Sequence, residues 1–349
     1  MHTTKKKKIL IIYTGGTIGM RKTADGYQPA EGLLKWHMAK MPEFKHSAMP
    51  SYDFIEYANL LDSADMSPKD WNTIANDIAQ HGDNYDAFIV LHGTDTMAYT
   101  ASALSFMFHN LRKPIIFTGS QVPLVEAHTD ARENLINAML IAGIYAIPEV
   151  CIFFNNQLLR ANRTQKTNAS GFDAFSSPNF PSLGEVGTNI FIRQDLLLPL
   201  PEAAKTSWQV FTQQKIATFA FFPGVELSLL ETILNQAPKA LILETYGVGN
   251  APVKQPELLK LLEMSEEKGI LIVNKSQCLK SNVDMQSYAT GQALATRGVI
   301  SGYDMTIESI ITKLYYLFSQ LSLNLSERKK LFQTSLRGEM TVYSAQMGI

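Results

Sequence analysis

Cysteine is almost absent: Cys151 and Cys278 are the only two in 349 residues. Two cysteines so far apart make no disulfide framework and lack metal-ligand spacing, so no metal site is expected. Cys151 sits in an apolar run and reads as core packing. An excess of one charge is missing too. Lys and Arg number 31 against 32 Asp and Glu, for a net charge of -1. That balance gives no electrostatic pull toward nucleic acid or an anionic membrane, and neither is expected as a partner. Long apolar runs are also missing. The basic run at residues 5–8 precedes only five apolar residues, too few for a signal-peptide core and far too few to span a bilayer. A cytoplasmic protein with free thiols is expected. The phosphate-binding patterns GxxxxGK with Ser or Thr, and GxGxxG, do not occur at the first turn, and no cofactor is implied.

What is present reads as an ordinary globular chain, 46% hydrophobic and 18% charged. At this length about 75% of the unfolded chain's surface can be buried, so a core needs no staples. Domains of ~100–200 residues suggest two: an N-terminal α/β domain over 1–195, a linker over 196–212 and a C-terminal α/β domain over 213–349. Apolar, β-branched runs predict strands at 9–13, 51–61, 86–91, 114–117, 150–154, 216–222, 240–244 and 270–274. Helical spacing of apolar residues follows most of them. One helix starts at Ser67-Pro68-Lys69-Asp70, a capping hydroxyl, a first-position proline and an acid. Another carries a stripe of Met97, Ala101, Leu104 and Phe108, and others cover 131–144 and 256–268. Two helices close the chain. Strands alternating with helices imply a doubly wound parallel sheet with helices on both faces. Residues 21–29 and 155–187 are polar, and 193–212 holds Pro199 and Pro201; the first reads as a loop, the last as the linker.

Ligands of open α/β sheets bind beyond the carboxyl ends of the strands. Four of the predicted loops at those ends are rich in hydroxyls and carboxylates: Thr14-Gly15-Gly16-Thr17, Asp62-Ser63, His92-Gly93-Thr94-Asp95 and Thr118-Gly119-Ser120-Gln121. Each has an ordinary explanation. Thr and Asp close turns and cap helices, Asp95 suits a helix N-terminus, and Lys166 suits a solvated surface. Tyr27 reads either as an aromatic anchoring its loop or as part of a mobile flap over Thr17. Convergence on one sheet edge favours a site. Carboxylates and hydroxyls fit a small zwitterion, with Asp95 pairing an ammonium and Ser63 holding a carboxylate. A threonine hydroxyl needs a base to become a nucleophile, and Thr94 with Asp95 and Lys166 would form such a relay. The chemistry alone points to acyl transfer on an amino-acid-like substrate.

The motifs Thr14-Gly15-Gly16-Thr17-Ile18-Gly19 and His92-Gly93-Thr94-Asp95-Thr96-Met97 resemble the two signatures of bacterial L-asparaginases. Leu60-Leu61-Asp62-Ser63, Asn162-Arg163-Thr164-Gln165-Lys166, Gly171-Phe172-Asp173-Ala174-Phe175 and Tyr246-Gly247-Val248-Gly249-Asn250 resemble the cytoplasmic, type I branch. The resemblance implies a larger N-terminal doubly wound domain with a flexible active-site flap and a smaller C-terminal α/β domain. It implies homodimers or homotetramers that hydrolyse L-asparagine to L-aspartate and ammonia. By motif, Thr17 is the nucleophile and Tyr27 the flap tyrosine. Thr94, Asp95 and Lys166 form the second catalytic group. Asp62, Ser63, Thr94, Asp95 and Ser120 bind substrate, and Asn250 reaches the site from a neighbouring subunit. One position departs. Where an arginine that serves activation by asparagine is expected, this chain has Glu244, so such activation is expected to be weak or absent. The rivals are a broader glutaminase-asparaginase, an ammonia-supplying tRNA amidotransferase subunit and a non-catalytic amino-acid sensor. The amidotransferase subunit is expected to carry an added docking domain, and only a short stretch precedes the first strand here.

Overall fold

The first apolar run becomes a central strand because both of its faces are covered. In the computed structural model, which describes residues 6–202 and 205–342, β1 (Lys8–Gly15) has Ile9, Leu10, Ile11, Ile12 and Tyr13 fully buried. The chain divides into two compact units between Val210 and Phe211.

In the first unit, β1 is followed by the hairpin β2 (Met20–Thr23) and β3 (Gly26–Pro29), then α1 (Leu33–Lys40) and β4 (Ser51–Leu61). Next come α2 (Pro68–Gln80), β5 (Ala87–Leu91), α3 (Met97–Met107), β6 (Phe108–His109) and β7 (Ile115–Thr118). Helix α4 (Ala131–Ile144) leads to β8 (Val150–Phe154), β9 (Gln157–Arg160), β10 (Gln165–Lys166) and β11 (Phe175–Ser176). The unit ends with β12 (Gly184–Val186), β13 (Ile190–Ile192) and β14 (Ser207–Trp208). Helix α2 has the capping box of Ser67 and Asp70 and buries Trp71, Ile74, Ala75 and Ile78. Helix α3 stops at Met107, and Phe108 belongs to β6 instead of the helical stripe.

Eight strands make one sheet, in the order β13-β12-β9-β8-β7-β5-β1-β4. From β4 to β8 all neighbours are parallel. The chain leaves β1 toward β4 on one side and leaves β5 toward β7 on the other. The carboxyl ends of β1 and β5 therefore flank the point where the strand order reverses, which is where such sheets open a crevice.

Three further expectations need correction. The sheet is mixed rather than parallel: β9, β12 and β13 are added antiparallel. The turn from β8 to β9 is Asn155-Asn156, both at positive φ (45° and 63°), the left-handed geometry that closes tight hairpins. Residues 21–29 are no open loop but the β2–β3 hairpin, with Lys22 opposite Tyr27 and Thr23 opposite Gly26. Its mostly polar residues offer no buried face, so periodicity does not reveal it. The stretch 193–212 is not bare linker, because β14 pairs with β6 and Trp208 Nε1 donates to Asn76 Oδ1 at 2.9 Å.

The second unit is a four-stranded parallel sheet, in order β15 (Ile216–Ala220), β16 (Ala240–Thr245), β17 (Leu271–Ser276) and β18 (Ile300–Ser301). Its helices are α5 (Leu227–Asn235), α6 (Pro256–Glu267), α7 (Ala289–Ala295), α8 (Ile307–Ser319) and α9 (Leu325–Phe332). Leu230, Leu241, Leu243, Leu258 and Leu262 lie at its core. Among the described residues of the chain, no helix is long and apolar enough to cross a membrane.

Glu308, in the first turn of α8, is 4% exposed. Its Oε2 lacks a hydrogen-bond partner among the described residues. Burial pushes its carboxyl up to about 7, against the pull of its own N–H, Thr306 and Lys275. A carboxyl raised on folding stabilises the fold below its unfolded value and loses that contribution as pH rises through the folded one. Glu308→Gln should match the parent near pH 4.5 and exceed it by about 2–3 kcal/mol at pH 8. Denaturant unfolding of both proteins across that range checks this, and a constant difference would refute it.

Candidate active site

Two glycines let three loops meet. Gly16, at φ 90°, follows β1 and caps a 3-10 turn over Thr17–Gly19. A Cβ there would stand 2.4 Å from the Gly93 nitrogen, and one on Gly93 would stand 2.5 Å from Ser63 Oγ. Only bare backbone fits at both positions. The loops after β1, β4 and β5 therefore pack directly on one another. Two hydroxyls tie them: Thr14 donates to Leu91 O at 3.0 Å, and Thr96 donates to Ser63 O at 2.6 Å. Thr17 is half-buried, and its hydroxyl makes no hydrogen bond among the described residues.

Lys166, on β10, reaches into this edge. Its Nζ donates to Thr94 Oγ1 at 2.8 Å and to Asp95 Oδ1 at 2.7 Å. The Thr94 hydroxyl in turn donates to Gln121 Oε1 at 3.0 Å. The Gln121 amide is oriented by two carbonyls, with Nε2 donating to Ala169 O at 3.0 Å and to Gly171 O at 3.2 Å. Its oxygen must then face Thr94 as an acceptor, and the threonine lone pairs face Lys166. In this arrangement the lysine Nζ donates to both partners. Thr94 is buried at 7% exposure, whereas the Asp95 side chain is 63% exposed and open to a ligand.

The other residues singled out from sequence are placed as follows. Ser63 is buried against Gly93. Asp62 is exposed and spends one oxygen on capping the next turn, accepting from Ala64 N at 3.0 Å. Ser120 is buried, and its Oγ has no partner among the described residues. Tyr27 is exposed on β3, and its hydroxyl donates to Glu126 Oε1 at 3.1 Å rather than to Thr17. The Glu126 carboxylate raises the phenol above its usual range. Asn250 belongs to the second unit, bridged to Tyr246 in a tight turn, and its side-chain oxygen accepts from Thr290. Glu244, on β16, stands in register with Lys275 on β17. His92 is buried and sits beside Thr94. Burial brings its imidazole down to about 4, so it is neutral near pH 7, with Nδ1 donating to Gly93 O at 2.7 Å. It is therefore a wall of the loop rather than a base. Among the described residues, no group of three His, Cys, Asp or Glu could hold a metal ion.

These loops coincide with known sequence families. The family described as "Asparaginase, N-terminal" matches residues 8–198, and "Glutaminase/Asparaginase C-terminal domain" matches residues 215–332. The chain belongs to the asparaginase family. L-asparaginase 1 of Escherichia coli (strain K12) is 50% identical over 338 residues, 97% of this chain and 99% of that one. The crystal structure of L-asparaginase I from Vibrio cholerae O1 biovar eltor str. N16961 is 48% identical, with a TM-score of 0.90 over 97% of this chain and 100% of that one. The thermostable L-asparaginase from Thermococcus kodakarensis is 29% identical, with a TM-score of 0.87 over 96% of this chain and 100% of that one.

In this asparaginase-family chain, sequence reasoning misses two residues that hold others in place, Gln121 and Glu126. Gln121 stands in the motif Thr118-Gly119-Ser120-Gln121, but nothing in its spacing shows that it would meet Thr94. The Gly171-Phe172-Asp173 stretch is explained by the same network. Asn168 donates to Asp173 Oδ1 at 2.7 Å and accepts from Gly171 N at 3.0 Å, which shapes the turn whose carbonyls orient Gln121.

Proposed function

We propose that this chain is a cytoplasmic L-asparaginase that hydrolyses the side-chain amide of L-asparagine to L-aspartate and ammonia. The observation that carries the reading is Lys166, whose Nζ donates to both Thr94 and Asp95 on the loop packed against the Thr17 turn. Relatives named as L-asparaginases, matched over nearly their whole length, support the same substrate.

Thr17 attacks the amide carbon. Its proton leaves through Thr94 and Lys166, once the lysine has given up a proton, or through a water relayed by Tyr27. Backbone N–H groups near Thr94 stabilise the oxyanion. The proton taken from Thr17 passes to the amide nitrogen, ammonia departs, and water then hydrolyses the β-aspartyl ester to aspartate and the free Thr17 hydroxyl. Asp95, Asp62 and Ser63 hold the α-ammonium and α-carboxylate, and Ser120 lines the same edge. Asp95 suits the ammonium because its carboxylate is exposed while one oxygen stays anchored on Lys166. The enzyme acts as a homodimer or homotetramer, which light scattering of the purified protein measures.

Ammonia release from L-asparagine and L-glutamine tests the activity. Turnover of asparagine is expected, with a hyperbolic dependence on its concentration, because Glu244 repels the carboxylate of an activating amino acid. Comparable glutamine turnover would make the enzyme a glutaminase-asparaginase. Binding of asparagine without turnover would make it a sensor.

A further inference from the structure

The flap hairpin is a sheet of two strands, β2 with β3, and among the described residues pairs with no other strand. Such a ribbon is marginal in water unless something holds it. Every residue of β3 is exposed. Beyond it, Gly32 adopts φ 70°, with nothing within 4 Å of where a Cβ would stand, so the backbone has room to turn there. Among the described residues, the side chains of the hairpin make one hydrogen bond to the rest of the chain, from Tyr27 to Glu126. The bonds that Thr23 makes with Gly26 and Asp25 are internal.

Glu126 sits on the loop between β7 and α4. That loop is anchored at both ends of its turn. Leu124 N donates to Ile18 O at 3.0 Å, which ties it to the Thr17 turn. The Asp130 carboxylate accepts from Gln121 N and Val122 N, both within 3.1 Å. The same loop carries Gln121, which receives the Thr94 hydroxyl. One braced loop thus holds the flap tyrosine through Glu126 and the second threonine through Gln121.

We propose that Glu126 is a positioning residue for the flap: its carboxylate holds the Tyr27 phenol, which then makes no bond to Thr17, and substrate breaks the Tyr27–Glu126 bond as the flap closes. The proposal rests on the reading of Thr17 as nucleophile and Tyr27 as flap tyrosine. A phenol has one proton to donate, so while Glu126 accepts it, Tyr27 has none to offer in the site. Glu126 acts through Tyr27 and touches neither substrate nor reacting atoms.

The test compares the full chain with Glu126→Ala, Glu126→Gln, Tyr27→Phe and the double variant Tyr27→Phe/Glu126→Ala. Tryptic cleavage after Arg21 and Lys22, followed by mass spectrometry with and without L-aspartate, reads the flap independently of activity. Without ligand, Glu126→Ala and Tyr27→Phe should be cut about 2–10-fold faster than the parent. Glu126→Gln, whose amide oxygen still accepts, should stay close to the parent, and the double variant should add nothing to either single one. Steady-state kinetics should show KM for L-asparagine falling about 2–10-fold in Glu126→Ala, with kcat within a factor of about two. Equal cleavage of parent and Glu126→Ala overturns the proposal. So does a raised KM in both Glu126 variants with cleavage unchanged, which would assign Glu126 to substrate binding. Failure of the parent to hydrolyse asparagine would reject the activity reading instead, and the cleavage comparison would still decide the role of Glu126.

Discussion

Thr17→Ala should lower the rate of ammonia release from L-asparagine by roughly 10⁴–10⁶-fold, the loss seen when a nucleophile that works with a base is removed. The fold should survive. The Thr17 hydroxyl makes no hydrogen bond among the described residues, so its removal strands no buried partner. The 3-10 turn is set by backbone, with Gly16 at φ 90° against the Gly93 backbone, and alanine at 17 leaves that packing untouched. Unfolding free energy should change by less than about 0.5 kcal/mol. Asparagine should still bind, because the residues assigned to its α-groups are on other loops. Calorimetric binding, a coupled ammonia assay and denaturant unfolding on one preparation separate these quantities. Retention of more than about a tenth of the parent rate would remove Thr17 from the chemistry.

Lys166→Met carries the second large effect, a loss of about 10²–10⁴-fold in kcat, the usual contribution of a positioned proton-transfer group. Methionine is close to the lysine stem in length, so the mostly buried path of the side chain stays filled; the Lys166 side chain is only 18% exposed. What goes is the charge that Thr94 and Asp95 share. The Thr94 hydroxyl keeps its bond to Gln121, so the loop geometry holds. Asp95 is open to water and remains solvated without its partner. The effect should therefore appear in kcat more than in KM. A raised KM with kcat unchanged would make Lys166 a substrate-binding residue and take it out of the relay.

Much of the candidate site is legible in short stretches of the chain. Ile9 to Tyr13, followed by two glycines and a threonine, is a buried strand opening onto a backbone that something can approach closely. The same logic finds His92-Gly93-Thr94-Asp95 after the next buried strand. Local rules suffice there, because burial on both faces and tight turns leave strong marks on residue type. The antiparallel extension of the sheet is also marked, by Asn155-Asn156, since Asn tolerates positive φ better than most residues. That signal is drowned by the polar stretch around it. The β2–β3 hairpin leaves less trace, because an exposed ribbon with no buried face needs no alternation.

Residue chemistry and order along the chain determined the fold class, the strand ends that carry the candidate site, and the residue types available there. Each follows from interactions between near neighbours in sequence: hydrophobic period, capping and turn geometry. The tertiary structure decided which of those residues meet. Lys166 reaches Thr94 and Asp95 only because β10 returns beside the loop after β5. Gln121 receives the Thr94 proton only because the 168–173 turn aims two carbonyls at its amide. Tyr27 faces Glu126 only because the loop after β7 is pinned to the Thr17 turn. Contacts between residues 70 to 100 positions apart depend on how whole elements pack, and residue spacing along one chain carries no record of that distance.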